Sequence, residues 1–302
     1  MIFTSENNLA VRVEKLFKRY KNGTEATCGI DFSVQCGEAV AILGPNGAGK
    51  TTFLRQLTTE LNPSSGTVEI FGIDAVKSAP KAKTLMGVTP QEAGVFETLT
   101  VREHLELFGK LKGINKLTAQ IETQEILSEL GLSADAKKQV GALSGGQRRR
   151  ILIGLAIIGK PPLLVLDEPT TGLDPQSRRR VWLYLKKVIE GGTTVILSTH
   201  YLEEAEFLSH RIAFINKGKI IADGTMGELR ELFPNKYRVS YLNTNSKIAL
   251  PQVKFFGDFV LAQKFISDKQ ISEYQIGTAS LEDVYFGLVG ERLSALDDTE
   301  IK

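Results

Sequence analysis

The sequence predicts an α/β fold with a largely parallel sheet, followed by a small α+β appendage. Three observations carry that expectation. The apolar runs at residues 39–43, 163–166 and 194–197 are continuous rather than alternating, which suits strands buried on both faces. Helical patterns lie between these runs, and strands that alternate with helices build a parallel sheet. Near residue 225 the character of the chain changes. A helix-like stretch at 224–232 and a Phe233-Pro234-Asn235 linker lead into short apolar segments at 237–241, 254–261 and 271–276, then a helical stretch at 280–289.

Taken in order, residues 9–43 read as strands: 9–15 alternates, 28–34 partly alternates, and 39–43 is the first buried run. A glycine-rich turn follows, then a helix at 51–61. Residues 101–160 read as mostly helical, with Gly109, Gly113, Gly131, Gly141, Gly145 and Gly146 as breaks. Core strands are expected at 163–166 and 194–197, with helices between and after them. The predicted division is 1–232 for the main domain, with a helical part at about 92–160, and 233–302 for the appendage. Residues 294–302 are polar and expected to fray. No internal repeat is visible.

The 302 residues are 42% hydrophobic and 24% charged, enough apolar matter for a full core. A net charge of +2 makes no electrostatic case for a nucleic-acid partner, and none is expected. Cys28 and Cys36 have no metal-ligand spacing and read as reduced thiols. No run approaches the ~18 consecutive apolar residues of a membrane helix, and the first residues lack the pattern of a secretory signal. A cytoplasmic location is expected, with any membrane contact made through a partner.

The segment Gly44-Pro-Asn46-Gly47-Ala48-Gly49-Lys50-Thr51-Thr52 fits a P-loop, between an apolar strand and a helix. Its glycines let backbone N–H groups curl around a phosphate chain, and the helix start adds partial positive charge. Lys50 can neutralise phosphate charge and the Thr51 hydroxyl can ligate Mg²⁺. The segment Leu163-Leu-Val-Leu-Asp167-Glu168-Pro169 ends an apolar strand in two carboxylates. Adjacent strand residues face opposite ways, so two roles are the natural reading. Asp167 is placed to hold Mg²⁺, and Glu168 to accept a proton from attacking water.

A third motif, Leu143-Ser144-Gly145-Gly146-Gln147, precedes a helix, and His200 follows the run 194–197 in Leu-Ser-Thr-His. A P-loop, then LSGGQ, then LLVLDEP, then this histidine is the motif order of ABC ATPases. Over residues 9–232 the chain resembles that family. Thr-Thr-Gly-Leu-Asp-Pro and Ser280-Leu-Glu-Asp-Val-Tyr-Phe-Gly-Leu are similar to segments in ATPase subunits of ABC-2-type exporters.

The resemblance implies a RecA-like core with an antiparallel β subdomain and a helical subdomain. It implies that ATP is held by Asn46, Gly47, Ala48, Gly49, Lys50, Thr51 and Thr52, with Tyr20 stacking on adenine; the alternative for Tyr20 is a surface tyrosine at a strand end. Mg²⁺ is assigned to Thr51, Gln91 and Asp167. The catalytic set is Glu168, His200, Gln91 and Lys50. Ser144, Gly145, Gly146 and Gln147 touch ATP held by the opposite subunit, and Asp174 lies in a dimer-contact loop. Residues 91–107, with Phe96, Leu99 and Val101, carry a groove for a cytoplasmic helix of a permease. The implied partners are an integral membrane permease and a second ATPase subunit, most simply a second copy. The implied activity is Mg²⁺-dependent ATP hydrolysis that powers transport, with export the expected direction.

His104 and His210 are read as structural. The runs Arg148-Arg149-Arg150 and Arg178-Arg179-Arg180 spread around their helices and read as solvated surface with local ion pairs. Two alternatives remain. A soluble ABC ATPase of translation or DNA repair is opposed by the single copy of each motif and the short Gln91-to-Ser144 interval. A nucleotide-sensing scaffold would bind without turnover.

Overall fold

The structure, a computed structural model, describes residues 8–89, 96–232, 234–243 and 250–289. The chain opens with β1 (Leu9–Arg19), β2 (Glu25–Gln35), β3 (Ala39–Leu43), α1 (Lys50–Leu57), β4 (Ser65–Ile70), β5 (Ile73–Asp74), α2 (Ala79–Lys83) and β6 (Met86–Thr89). A helical stretch follows: α3 (Val101–Leu111), α4 (Lys116–Glu129) and α5 (Gly145–Ile157). Then come β7 (Leu163–Asp167), α6 (Pro175–Glu190), β8 (Thr194–Ser198), α7 (Leu202–Leu208), β9 (Arg211–Asn216) and β10 (Lys219–Gly224). The last described elements are α8 (Met226–Leu232), β11 (Tyr237–Asn243), β12 (Leu250–Phe256), α9 (Phe259–Asp268), β13 (Tyr274–Thr278) and α10 (Leu281–Val289).

The strands form a sheet in the order β2-β1-β4-β5, a second in the order β10-β9-β3-β8-β7-β6, and a third in the order β12-β11-β13. The first is antiparallel throughout. In the second, β9, β3, β8, β7 and β6 run parallel. Every residue of β3, β7 and β8 is buried, as their unbroken apolar runs require when both faces of a sheet are covered. One core joins the first two sheets and α1, with Val11, Leu16, Ile30, Ile42, Phe53 and Ile196 among its members.

Several local readings change. The helix expected from Thr51 to Leu61 ends at Leu57. Strands β4, β5 and β6 are not marked in the sequence, because none carries an unbroken apolar run: β4 buries only Val68 and Ile70, β5 has two residues and β6 four. From the sequence, helical patterns are expected after the run 194–197 and no further strand before residue 225, yet β9 is a strand with Ile212, Ala213, Phe214 and Ile215 buried; a four-residue apolar run does not distinguish the two. Gly109 is no break. It lies inside α3, where a Cβ would stand 2.9 Å from Ile114 Cδ1, so it permits a close approach instead.

The chain divides into two compact units, Met1–Ile220 and Ile221–Lys302. The boundary read from the sequence falls after residue 232, one helix later. In the structure α8 packs against α10, which places it with the second unit. That unit is α+β, with the apolar face of its three-stranded sheet covered by Ala262 and Ile266 of α9. The segment 254–261 straddles the end of β12 and the start of α9.

Candidate functional site

Strand order gathers the site. In the second sheet β3 lies beside β8, β8 beside β7, and β7 beside β6, all parallel. The P-loop after β3, His200 after β8 and Asp167 at the end of β7 therefore emerge on one edge, the carboxyl edge where open α/β sheets bind ligands. Gln91 follows β6 in the chain but lies outside the described residues.

The P-loop is shaped by glycine. Gly47 and Gly49 have φ of 79° and 108°, conformations that residues with a Cβ rarely adopt. A Cβ on Gly49 would also stand 2.2 Å from the Ala26 carbonyl oxygen. No side chain caps the start of α1, so its first N–H groups are left for another acceptor. The buried Lys50 ammonium donates to the carbonyls of Gly44 at 2.7 Å and Pro45 at 3.1 Å. Burial holds this lysine below its usual range, while the charges of Glu168 and Asp167 pull it upward. Asn46 and Gly47 are exposed, Ala48 is buried, and Thr51 and Thr52 are half-buried. The Tyr20 hydroxyl lies 3.2 Å from Thr52 Oγ1, which brings that tyrosine to the same loop.

The two carboxylates separate because the strand stops between them. β7 ends at Asp167, and Glu168 takes a left-handed φ of 47°. Ser198 Oγ donates to Asp167 Oδ1 and accepts the Glu168 N–H at 3.0 Å. Glu168 Oε2 lies 3.7 Å from His200 Nδ1 and accepts from Thr171 Oγ1 at 3.4 Å. α1 packs against β7 and β8, so the helix that carries Thr51 meets the strand that carries Asp167. A hydroxyl and a carboxylate are hard oxygen donors of the kind Mg²⁺ takes together with substrate phosphates. The described residues contain no cluster of three or more His, Cys, Asp or Glu able to hold a metal alone.

Ser144 caps α5. Its Oγ accepts the Gln147 N–H at 3.3 Å, and Gln147 Oε1 accepts the Ser144 N–H at 2.9 Å. Gln147 Nε2 donates to Asp135 at 2.8 Å. Ser144 and Gly145 are exposed, and among the described residues no hydrogen bond joins this segment to the P-loop. Asp174 is exposed and caps α6 by accepting the Ser177 N–H at 2.9 Å; hydrogen bonds from Ser177 hold its carboxyl below the usual range.

The arginine runs are a correction. Arg148 does pair with Glu97, at 3.2 Å. Arg149 turns inward and donates to the carbonyls of residues 167, 168 and 169. Arg150 donates to the Leu130 carbonyl at 2.7 Å, and Arg178 lies over the Tyr201 ring. Helix carbonyls and strand ends left without ladder partners recruit these guanidiniums. Val101, expected in a docking groove, is fully buried in the helical part; Phe96 is exposed and Leu99 half-buried. His104 is buried between the rings of Phe96 and Phe108, and His210 Nδ1 accepts the Ala39 N–H. Ser198, Thr170 and Glu204 were missed. Ser198 stands one residue beyond an apolar run, a signal that was available; Glu204 is indistinguishable in sequence from exposed Glu203 and Glu206.

The model of the family described as "ABC transporter" matches residues 28–171. The daunorubicin/doxorubicin resistance ATP-binding protein of Streptomyces peucetius is 36% identical, over 93% of this chain and 92% of that protein. The linearmycin resistance ATP-binding protein of Bacillus subtilis is 41% identical, over 72% of this chain and 70% of its own. Among solved structures, an ATP-binding subunit of an ABC transporter superposes with a TM-score of 0.69 at 27% identity, covering 74% of this chain and 93% of that one. A dimeric cassette in a post-hydrolysis state with ADP and Pi gives 0.67 at 28% identity, covering 72% of this chain and 98% of that one. No described helix is long and apolar enough to cross a membrane.

Proposed function

The chain belongs to the ABC transporter family of ATP-binding, ATP-hydrolysing proteins, and on that footing we propose that it powers export through a separate membrane permease. Residues 1–232 bear the ATPase in this reading, with 92–160 as the helical subdomain and 233–302 as an appendage. The relatives named above for drug resistance support the direction.

In this mechanism the P-loop amides and Lys50 hold the phosphates, exchanging the carbonyls of Gly44 and Pro45 for phosphate oxygens. Thr51, Asp167 and Gln91 would hold Mg²⁺, whose contribution is to neutralise charge on the β- and γ-phosphate oxygens. Glu168 takes the proton of the attacking water. His200, within 3.7 Å of Glu168, contacts the γ-phosphate and steadies the carboxylate. Tyr20 covers the base. Two copies close with ATP between them, each offering Ser144–Gln147 to the other's nucleotide. Opening after hydrolysis would move the permease at the cytoplasmic face.

The observation that carries this reading is the meeting of Lys50, Asp167, Glu168 and His200 on one sheet edge, with Ser144 and Gly145 left exposed. The test is Glu168→Gln, which keeps the shape of the side chain and removes the base. Turnover should fall by about 10²–10⁴-fold, the range of general-base contributions, while ATP and Mg²⁺ shift the variant to a dimer on size-exclusion chromatography. A variant that hydrolyses ATP at the wild-type rate, or that stays monomeric at every concentration, would overturn it.

A further inference from the structure

We propose that Arg149 is a positioning residue that ties the chain's own Ser144–Gln147 segment to the backbone of Glu168. The proposal rests on the ATPase reading and adds a link inside that site. Glu168 holds a left-handed φ of 47°, which a residue with a Cβ keeps only when its surroundings impose it. Ser198 holds the N–H side of this residue, and one guanidinium gathers its carbonyl side. Arg149 Nη2 donates to the Asp167 carbonyl at 2.7 Å and the Glu168 carbonyl at 2.5 Å, and its Nε donates to the Pro169 carbonyl at 3.0 Å. Three consecutive carbonyls, at the end of β7 and just past it, are thus gathered by a fixed, planar fork.

The next residue in the chain is anchored as well. Thr170 Oγ1 donates to Glu204 Oε1 at 2.7 Å, and Trp182 Nε1 donates to that same oxygen at 2.8 Å. Glu204 and Thr170 are fully buried. Burial lowers the Arg149 guanidinium from its usual range, and the charges of Asp167, Glu168 and Glu204 oppose that shift. Its neighbours do something else. Arg148 reaches Gly141, Leu143 and Glu97, and Arg150 reaches Leu130 and Gly131.

The consequence follows from where Arg149 sits, early in α5, whose N-cap is Ser144. Moving the start of α5 drags the fork, and the fork drags the peptide of Glu168. In the closed pair, Ser144–Gln147 faces the partner's ATP. Seating one nucleotide therefore adjusts the base that acts on the other, through side chains of a single chain.

Arg149→Lys keeps the charge and loses the fork; Arg149→Gln loses both. Each is measured for ATP turnover, ATP affinity and thermal melting, and each is combined with Glu168→Gln for dimer trapping. The expected result is kcat lower by about 10–100-fold, as for a reacting group displaced by ~1 Å. KM, melting and ATP-trapped dimerisation should stay near their parent values. Wild-type kcat in Arg149→Lys overturns the link. So does a parallel loss of kcat, affinity and trapping, or a variant that cannot be obtained folded, since each marks a purely structural arginine. A wild-type chain without ATP turnover takes down the ATPase reading and the link with it; normal wild-type turnover with unaltered Arg149→Lys takes down the link alone.

Discussion

Two helix starts in this chain look alike in sequence and differ in what they have left to give. The start of α1 follows Gly47 and Gly49, has no side-chain cap and carries a buried lysine. The start of α5 follows Ser144, is closed by a reciprocal Ser144–Gln147 box, and is exposed. Orphan N–H groups make an anion site, and at α1 the chain builds that site by itself. At α5 the capping box takes the N–H groups of Ser144 and Gln147, the N-cap and the third helical residue. In the proposed function, the comparison separates a phosphate site built by one chain from a half-site that a second chain completes.

The largest break comes from Lys50→Ala. Phosphate release should fall by on the order of 10²–10³-fold, as for other charge-stabilising groups; near-normal turnover would remove Lys50 from the site. The next test sets glycine against glycine. Gly49→Ala must place a Cβ 2.2 Å from the Ala26 carbonyl oxygen at a φ of 108°, so ATP binding by the isolated chain should be lost. A Cβ on Gly145 meets nothing within 4 Å. Gly145→Ala should melt and bind ATP like the parent, and fail only in the ATP-trapped dimer on the Glu168→Gln background. Loss of monomer ATP binding in Gly145→Ala would collapse the distinction between the two starts.

Ser144→Ala sharpens the comparison on stability. Removing the cap should cost about 1 kcal/mol in denaturant unfolding, read from the shift of the midpoint at constant slope; an unchanged midpoint would mean that the box contributes nothing. The smallest effect on the isolated chain belongs to Phe96→Asp. Phe96 is 58% exposed, so basal ATPase should hold while assembly with the permease fails. Loss of folded protein would place Phe96 in the core instead.

The parallel strands were legible because β3 is apolar throughout and β7 and β8 each carry an unbroken apolar stretch, Leu163 to Leu166 and Val195 to Leu197, and so was the P-loop, whose glycines answer to local backbone demands. β9 was not, since Ile212 to Ile215 suits a buried helix as well as a strand. Within the site, Lys50, Asp167, Glu168 and His200 could be named from motif context. Arg149 and Glu204 could not, because arginines in a row on a helix, or glutamates clustered on one, differ only in what later packs against them.

What the sequence determined by itself was chemistry whose conditions are local: a glycine turn between strand and helix, a cap box at Ser144, two carboxylates after an apolar run. What only the tertiary structure decided was convergence. The order β3-β8-β7-β6 is not the order of the chain, and it alone brings residues far apart in sequence to one edge. The same packing strips water from Glu204 and turns Arg149 inward to the carbonyls of residues 167–169. Dihedral preferences and hydrophobic period act over a few residues and are written in the chain, whereas desolvation of a particular polar group depends on its neighbours across the fold.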